Sequence, residues 1–245
     1  MKVKLSITFF YIASLVLVSC KKNVETPIPP TPPVIVSDAN MNGWVKNPAG
    51  LATVKFVIPP SIPPLGNSSL QLTTPDKSFG RLRDTTHSGT RLSDLTGLSY
   101  STFIQQRDSI VDEVYVVLLI DIDGDGKSDN NLVFDPRYQS GHFVAGLVPD
   151  QGITKINTWQ TWDAFHGGWF IGPIVTDDPD HGGWFFSLAA YINKYPNATI
   201  MNDPLKGGGA IRFSVGGPAF SKNFIGYCDN FKIGVKGITT TYDFE

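Results

Sequence analysis

The sequence predicts an all-β protein, a single β-sandwich of the jelly-roll kind with one short helix. Three observations lead there. Short alternating or β-branched segments recur between clusters of Gly, Pro, Asn and Asp. Only one stretch carries helix signals. From Ser37 to Glu245 no second linker interrupts the chain, and about two hundred residues is ordinary for one sandwich domain.

In chain order, Lys2 and Lys4 precede an apolar stretch from Leu5 to Val18, which reads as a secretory signal over residues 1–19 rather than a spanning helix. Its ending, Leu17-Val18-Ser19-Cys20, resembles a bacterial lipobox. The resemblance implies cleavage before Cys20 and acylation of that cysteine, with more than the two chains a stable anchor requires. Residues 20–36 then form a linker. Five prolines between Pro27 and Pro33 exclude a helix or a central strand, and a polyproline spacer rising roughly 3.1 Å per residue could hold the domain about 35 Å off the bilayer. The expected location is the bacterial cell envelope, anchored at the outer membrane, with its sidedness left open.

The domain from residue 37 onward offers β-rich segments at Thr53–Ile58, Ser69–Thr74, Leu98–Phe103, Val114–Ile120, Leu132–Phe134, Ile153–Thr161, Ile211–Gly216, Tyr227–Val235 and Thr239–Phe244. The helix is Ser187–Lys194, beginning at a serine able to cap it and ending before Pro196. Removing the leader takes two lysines and no acids, so the net charge of −2 becomes −4. That leaves no basic footprint for nucleic acid. Cys228 is the one cysteine besides Cys20, so the mature domain has no internal disulfide, and core burial, aided by any metal, must hold it together.

The segment VYVVLLIDIDGDGKSDNNLVFDPRY, Val114 to Tyr138, reads as a β-hairpin with an acidic tip, its first strand buried on both faces. Asp121, Asp123, Asp125 and Asp129 take calcium-loop positions 1, 3, 5 and 9, with Gly126 at position 6 and Lys127 at the main-chain position 7. Four carboxylates in nine residues repel one another unless water or a cation neutralises them. The EF-hand reading fails because Leu132 stands where a bidentate Glu belongs and the flanks are strands. The pattern more closely resembles the calcium loops between strands of integrin-type FG-GAP repeats, which implies bound Ca2+. The alternative is a solvated acidic turn.

Three further segments, NSSLQLTT at Asn67–Thr74, LSDLTGLSYSTF at Leu92–Phe103 and YCDNFKIGV at Tyr227–Val235, resemble secreted bacterial jelly-roll modules of the galactose-binding-like kind, which include many carbohydrate-binding modules. The resemblance implies a structural calcium site at Asp229. It says little about the ligand, since such sandwiches host unrelated functions.

The string HGGWF occurs twice, at His166–Phe170 and His181–Phe185. A sugar ring packs its C–H face on an aromatic and needs carboxylate or amide partners at its edge. Trp169 and Trp184, with Asp163, Asp177, Asp178 and Asp180, supply both kinds of group, and His166 and His181 stand beside them. The alternative places Trp159, Trp162, Trp169 and Trp184 in the core, where large aromatics usually lie. A transition-metal site of His166 and His181 completed by Asp178 or Asp180 is a further possibility. Leu119-Ile120-Asp121-Ile122-Asp123 lies near the E-x-D-x-E strand of laminarinase-type glycosidases, but Leu119 removes the nucleophile. No G-x-S-x-G, H-E-x-x-H, C-x-x-C or P-loop occurs. The expectation is a lipid-anchored, calcium-stabilised module that binds glycan without chemistry. The alternatives are an adhesive envelope protein that binds another protein and a hydrolase that works through aspartates.

Overall fold

The computed structural model describes residues 31–76, 78–109, 112–172, 185–216 and 222–245. Cys20, Asp177, Asp178, Asp180, His181 and Trp184 therefore lie outside the described residues. The chain divides after Thr31, and the unit Pro32–Glu245 holds every element below. Among the described residues no helix is long and apolar enough to cross a membrane.

The architecture is an all-β sandwich of two sheets. The first contains β1 (Val34–Val36), β3 (Thr53–Val57), β4 (Ser69–Thr74), β6 (Leu95–Gln106), β9 (Gln160–Asp163), β14 (Phe224–Val235) and β15 (Ile238–Phe244). The second contains β2 (Trp44–Ala49), β5 (Phe79–Asp84), β7 (Tyr115–Asp121), β8 (Asn130–Phe134), β10 (Gly168–Gly172), β11 (Phe186–Ser187), β12 (Thr199–Ile200) and β13 (Ile211–Val215). The chain crosses between sheets repeatedly, as sandwich topologies require. The α-helix, α1 (Leu188–Lys194), is capped by the Ser187 hydroxyl, which accepts the Ala190 N–H at 3.1 Å.

Strand β14 organises the first sheet, pairing with β15, β4 and β6. Its register against β6 shifts between Asp229 and Lys232, where Asn230 takes φ 52°. This bulge breaks the two-residue alternation, so Cys228 and Phe231 both join the core while Asp229 is completely buried. Strand β1 lies parallel to β15. This strand, Val34–Val36, falls within the 20–36 span read from composition as linker. The proline run ends at Pro33, so the N–H groups that prolines lack are present in Val34–Val36 and can pair with β15.

Between the sheets, Trp44 sits among Phe213, Phe231, Tyr242 and Phe244 at centroid distances of 5.5–5.9 Å. Trp162 donates Nε1–H to Thr102 Oγ1 at 2.8 Å. As expected, β7 is buried on both faces. Val116, Leu118 and Ile120 enter the main core, whereas Val117 and Leu119 join Val133 and Phe170 in a smaller apolar cluster on the outer face, packed by Tyr115, Tyr138 and Phe185.

Candidate functional site

The acidic hairpin forms between β7 and β8. Gly124 and Gly126 adopt φ 80° and 82°, which L side chains rarely tolerate. Asp121, at the end of β7, is buried, and its two carboxylate oxygens accept the N–H groups of Gly124 at 2.7 Å and Gly126 at 3.0 Å. Asp129 Oδ2 accepts from Ile122 N at 2.7 Å and Asp123 Oδ1 from Asp125 N at 3.1 Å. These bonds gather ligand oxygens of Asp121, Asp123 and Asp129 within 4.8 Å of one another. Such spacing suits a hard cation.

Asp125 takes another course. It accepts from Lys127 N at 2.8 Å and Lys127 Nζ at 2.9 Å, and these hydrogen bonds hold its carboxyl below the usual range. The turn is braced from outside by buried Asp203, whose Oδ2 accepts Ser128 N–H at 3.0 Å, and by Lys206 Nζ, which donates to the Ser128 carbonyl.

Asp229 lies elsewhere, on β14. Its oxygens accept from Leu65 N at 2.9 Å and Phe244 N at 3.3 Å. Burial pushes its carboxyl up to about 7, with the Asp243 charge adding to the shift. Glu245 Oε1 accepts Asn67 N–H at 2.7 Å. At Gly66, φ 53°, a Cβ would collide with the Glu245 carboxylate and stand 2.9 Å from Asp243 Oδ2. Asp243 Oδ1 is buried with no hydrogen-bond partner among the described residues. Asp229 is thus one of three carboxylates meeting the 65–67 loop. Asp243 and Glu245 were missed in the sequence, although their alternation with Phe244 at the end of a strand was visible.

The HGGWF residues separate. Trp169 is completely buried, donates Nε1–H to Ala164 O at 2.8 Å and packs on Phe134 at 5.6 Å. It is a core residue, which corrects its assignment to ligand binding. A tryptophan whose polar edge is already satisfied inside the sandwich has no face left for a sugar. Its neighbours Asp163 and His166 do reach the surface. Asp163 Oδ1 accepts His166 N–H at 3.1 Å, and Asp163 Oδ2 lies 2.7 Å from His166 Nδ1. Both line a surface groove of about 520 Å³, with Ser99, Gln151, Thr161 and Phe165. Gln151 fixes this wall, since its Oε1 accepts Asp163 N–H at 2.8 Å and its Nε2 donates to Asp163 O at 2.9 Å. Phe165 was not singled out in the sequence, where it was overshadowed by the tryptophans.

Among the described residues the groove is lined by a single carboxylate, Asp163, whereas either glycosidase geometry uses two. The carboxylates with the most altered proton affinity are interior. Burial pushes Glu113 up to about 8 despite hydrogen bonds from Thr154 and Arg107, and pushes Asp135 up to about 6.

No protein-family model and no curated protein matches the chain. Among solved structures, one described as domains CD, residues 230–489, of another protein is similar over 78% of this chain at 15% identity, with a TM-score of 0.33. The match covers 63% of that structure's chain.

The raised carboxylates make stability depend on pH. Glu113, Asp229 and Asp135 hold protons in the native state up to about 8, 7 and 6, against ordinary values of 4.5, 3.8 and 3.8. Between those limits the native state binds more protons than the unfolded chain, so stability falls as pH rises. Asp84 opposes this at the acid end. Burial works to raise its affinity, but hydrogen bonds from His87 and Thr86 carry it below 3.8, and its contribution is lost as pH drops through that lower value. The thermal midpoint in EDTA is expected to be higher at pH 5 than at pH 8 and to fall again below about pH 4. A midpoint climbing steadily from pH 5 to 8 would contradict these assignments.

Proposed function

We propose that the chain is a lipid-anchored, calcium-stabilised module of the bacterial cell envelope that binds glycan without chemistry. The observation that carries the reading is the groove at β6 and β9. It offers an apolar wall at Phe165 and an edge of hydroxyl, amide, imidazole and carboxylate groups from Ser99, Thr161, Gln151, His166 and Asp163. Carbohydrate recognition combines an aromatic surface with convergent polar groups of this sort. Its single carboxylate favours binding over hydrolysis. The three-aspartate hairpin and the Asp229 cluster are the candidate Ca2+ sites, and Cys20 is the candidate anchor.

The test is a glycan microarray probed with the protein. Discrete signals are expected, at least tenfold weaker for Phe165→Ala and His166→Ala, while Trp159→Ala, outside the groove, retains them. Signals that survive both groove substitutions would remove the groove from the account.

One observation favours the adhesive alternative. Ile58 and Ile62 are 80% and 88% exposed, and Ile153 is 70% exposed. Trp159 Nε1 donates to Ser61 O at 3.4 Å, which brings the 58–62 loop to the 153–160 segment. Exposed apolar side chains gathered on one face mark protein contacts. Capture of an envelope protein that is lost in Ile62→Asp, with a blank glycan array, would select this reading.

A further inference from the structure

The outer face of the second sheet gathers three arginines on which, among the described residues, only the Asp203 carboxylate acts as a counter-charge, and it acts on Arg212 without forming an ion pair. Leu82 and Asp84 of β5 point inward and are fully buried, so Phe79, Arg81 and Arg83 alternate on the outside. Arg83 lies directly opposite Arg212 of β13, and Arg81 is opposite Ser214. Directly opposed like charges on an antiparallel pair destabilise it. Among the described residues no carboxylate forms an ion pair with any of the three arginines.

Arg212 is nearly enclosed, donating Nε–H to Gly208 O at 2.9 Å and Nη2–H to Lys206 O at 2.8 Å. Burial, followed by the charges of Arg81 and Arg83, lowers it to about 10, against a smaller opposing pull from the Asp203 carboxylate. Arg83 is half-buried, its stem packed so closely that a Cβ on Gly209 would stand 2.6 Å from Arg83 Cβ. Its Nε–H is buried without an acceptor among the described residues. A buried charged donor left unmatched is costly, and three guanidinium groups together are more so. A protein of net charge −2 that keeps three arginines together with no ion pair among the described residues, and with Asp203 acting on Arg212 alone, has room beside Arg81 and Arg83 for an external anion.

The neighbours narrow the class of anion. The Arg81 guanidinium stacks 4.7 Å from the half-exposed Phe79 ring. On the adjacent edge strand β2, Val45 is opposite Arg83 and Asn47 is opposite Arg81. Aromatic ring, amide and guanidinium forks side by side suit a sugar that carries a carboxylate, because the fork pairs bidentately with the carboxylate while the ring covers C–H groups. A polymer with a carboxylate on every sugar also offers successive anions to Arg81 and Arg83, which stand about 6.8 Å apart along one strand.

We propose that Arg81 and Arg83, backed by Arg212, bind the carboxylates of an acidic, uronate-bearing polysaccharide on the outer face of the second sheet. This rests on the glycan reading of the protein but uses a face separate from the Asp163–His166 groove, and the two can fail independently.

The test is isothermal titration of the full chain in detergent with polygalacturonate and with its fully methyl-esterified form, which keeps the backbone and removes the charge. Polygalacturonate is expected to bind, to weaken with added salt and to bind at least tenfold less tightly to Arg81→Gln and to Arg83→Gln. His166→Ala is expected to leave that binding unchanged, and the esterified form to bind none of these proteins through the arginines. Without ligand, the thermal midpoints of Arg81→Gln and Arg83→Gln are expected to equal or exceed the parent value, because like-charge repulsion is relieved. Three results would overturn the proposal: acid-form binding that survives both arginine substitutions, an acid form that does not bind, or midpoints lowered in both variants. Arginine-dependent binding of single-stranded RNA without polygalacturonate binding would also overturn it. If the acid form binds through the arginines and no glycan depends on His166, the groove reading fails and this one stands.

Discussion

Trp169→Ala is expected to destabilise the protein by about 3–5 kcal/mol, the usual cost of truncating a fully buried aromatic. Trp169 is 0% exposed, and its removal empties space against Phe134 and leaves the Ala164 carbonyl without its indole donor. At about 2–4 °C per kcal/mol for a domain of this size, the midpoint should fall by roughly 6–20 °C. Thermal unfolding by circular dichroism measures this. A shift under about 3 °C with ligand binding lost would return Trp169 to a surface role. The distinction matters because a loss-of-binding phenotype in this variant would otherwise be read as a missing stacking platform.

Calcium should give the second large effect. At a hundred times its dissociation constant a native-state ion stabilises by about 2.7 kcal/mol, a rise of roughly 5–11 °C at the same conversion. The informative variant is Asp123→Ala. Asp121 is buried and accepts two backbone donors, so Asp121→Ala damages the turn with or without metal. Asp123 is exposed and, among the described residues, accepts only from Asp125 N. Asp123→Ala is therefore expected to keep the midpoint in EDTA while losing the calcium rise. If the rise persists there and vanishes in Asp243→Asn, the ion belongs at the Asp229 cluster. Calcium without effect on the parent protein would dismiss both sites.

The sequence exposed the elements whose signal is local. Strand β4 falls where its alternation placed it, and so do β13, β14, β15, the acidic hairpin and the capped helix. Strands β1, β2, β5, β10, β11 and β12 went unseen because their sequences carry little pattern. Trp44–Ala49 ends in Asn-Pro-Ala, Phe79–Asp84 holds two arginines, and Gly168–Gly172 is bounded by glycines. Partner strands, not propensity, fix these. The reverse error occurred at Ile153–Thr161, β-branched enough to read as a strand. Only its last two residues enter β9, with one isolated bridge at Ile156.

The site was legible in the same proportion. Spacing alone brought Asp121, Asp123 and Asp129 together, but it counted Asp125 as an equal, and only the structure turns Asp125 towards Lys127. The HGGWF string drew attention to the right turn and the wrong side chain. After a glycine pair the chain re-enters a strand, so Trp169 faces inward while Asp163 and His166, on the outer side of the turn, line the groove. Arg81, Arg83 and Arg212 lie about 130 residues apart in the chain and meet only through the β5–β13 register, which no local pattern encodes.

Whether the groove beside β9 holds a glycan is decided by calorimetric titration of the protein with the glycan that gives the strongest array signal, in parallel with Phe165→Ala and His166→Ala. One-site binding by the parent is predicted, with affinity reduced at least tenfold in both variants; the thermal midpoint should stay within about 3 °C of the parent in His166→Ala, whose side chain is exposed, and fall further in Phe165→Ala, whose ring packs against the core. Equal affinity in all three proteins, or no heat of binding to the parent, would contradict the glycan reading.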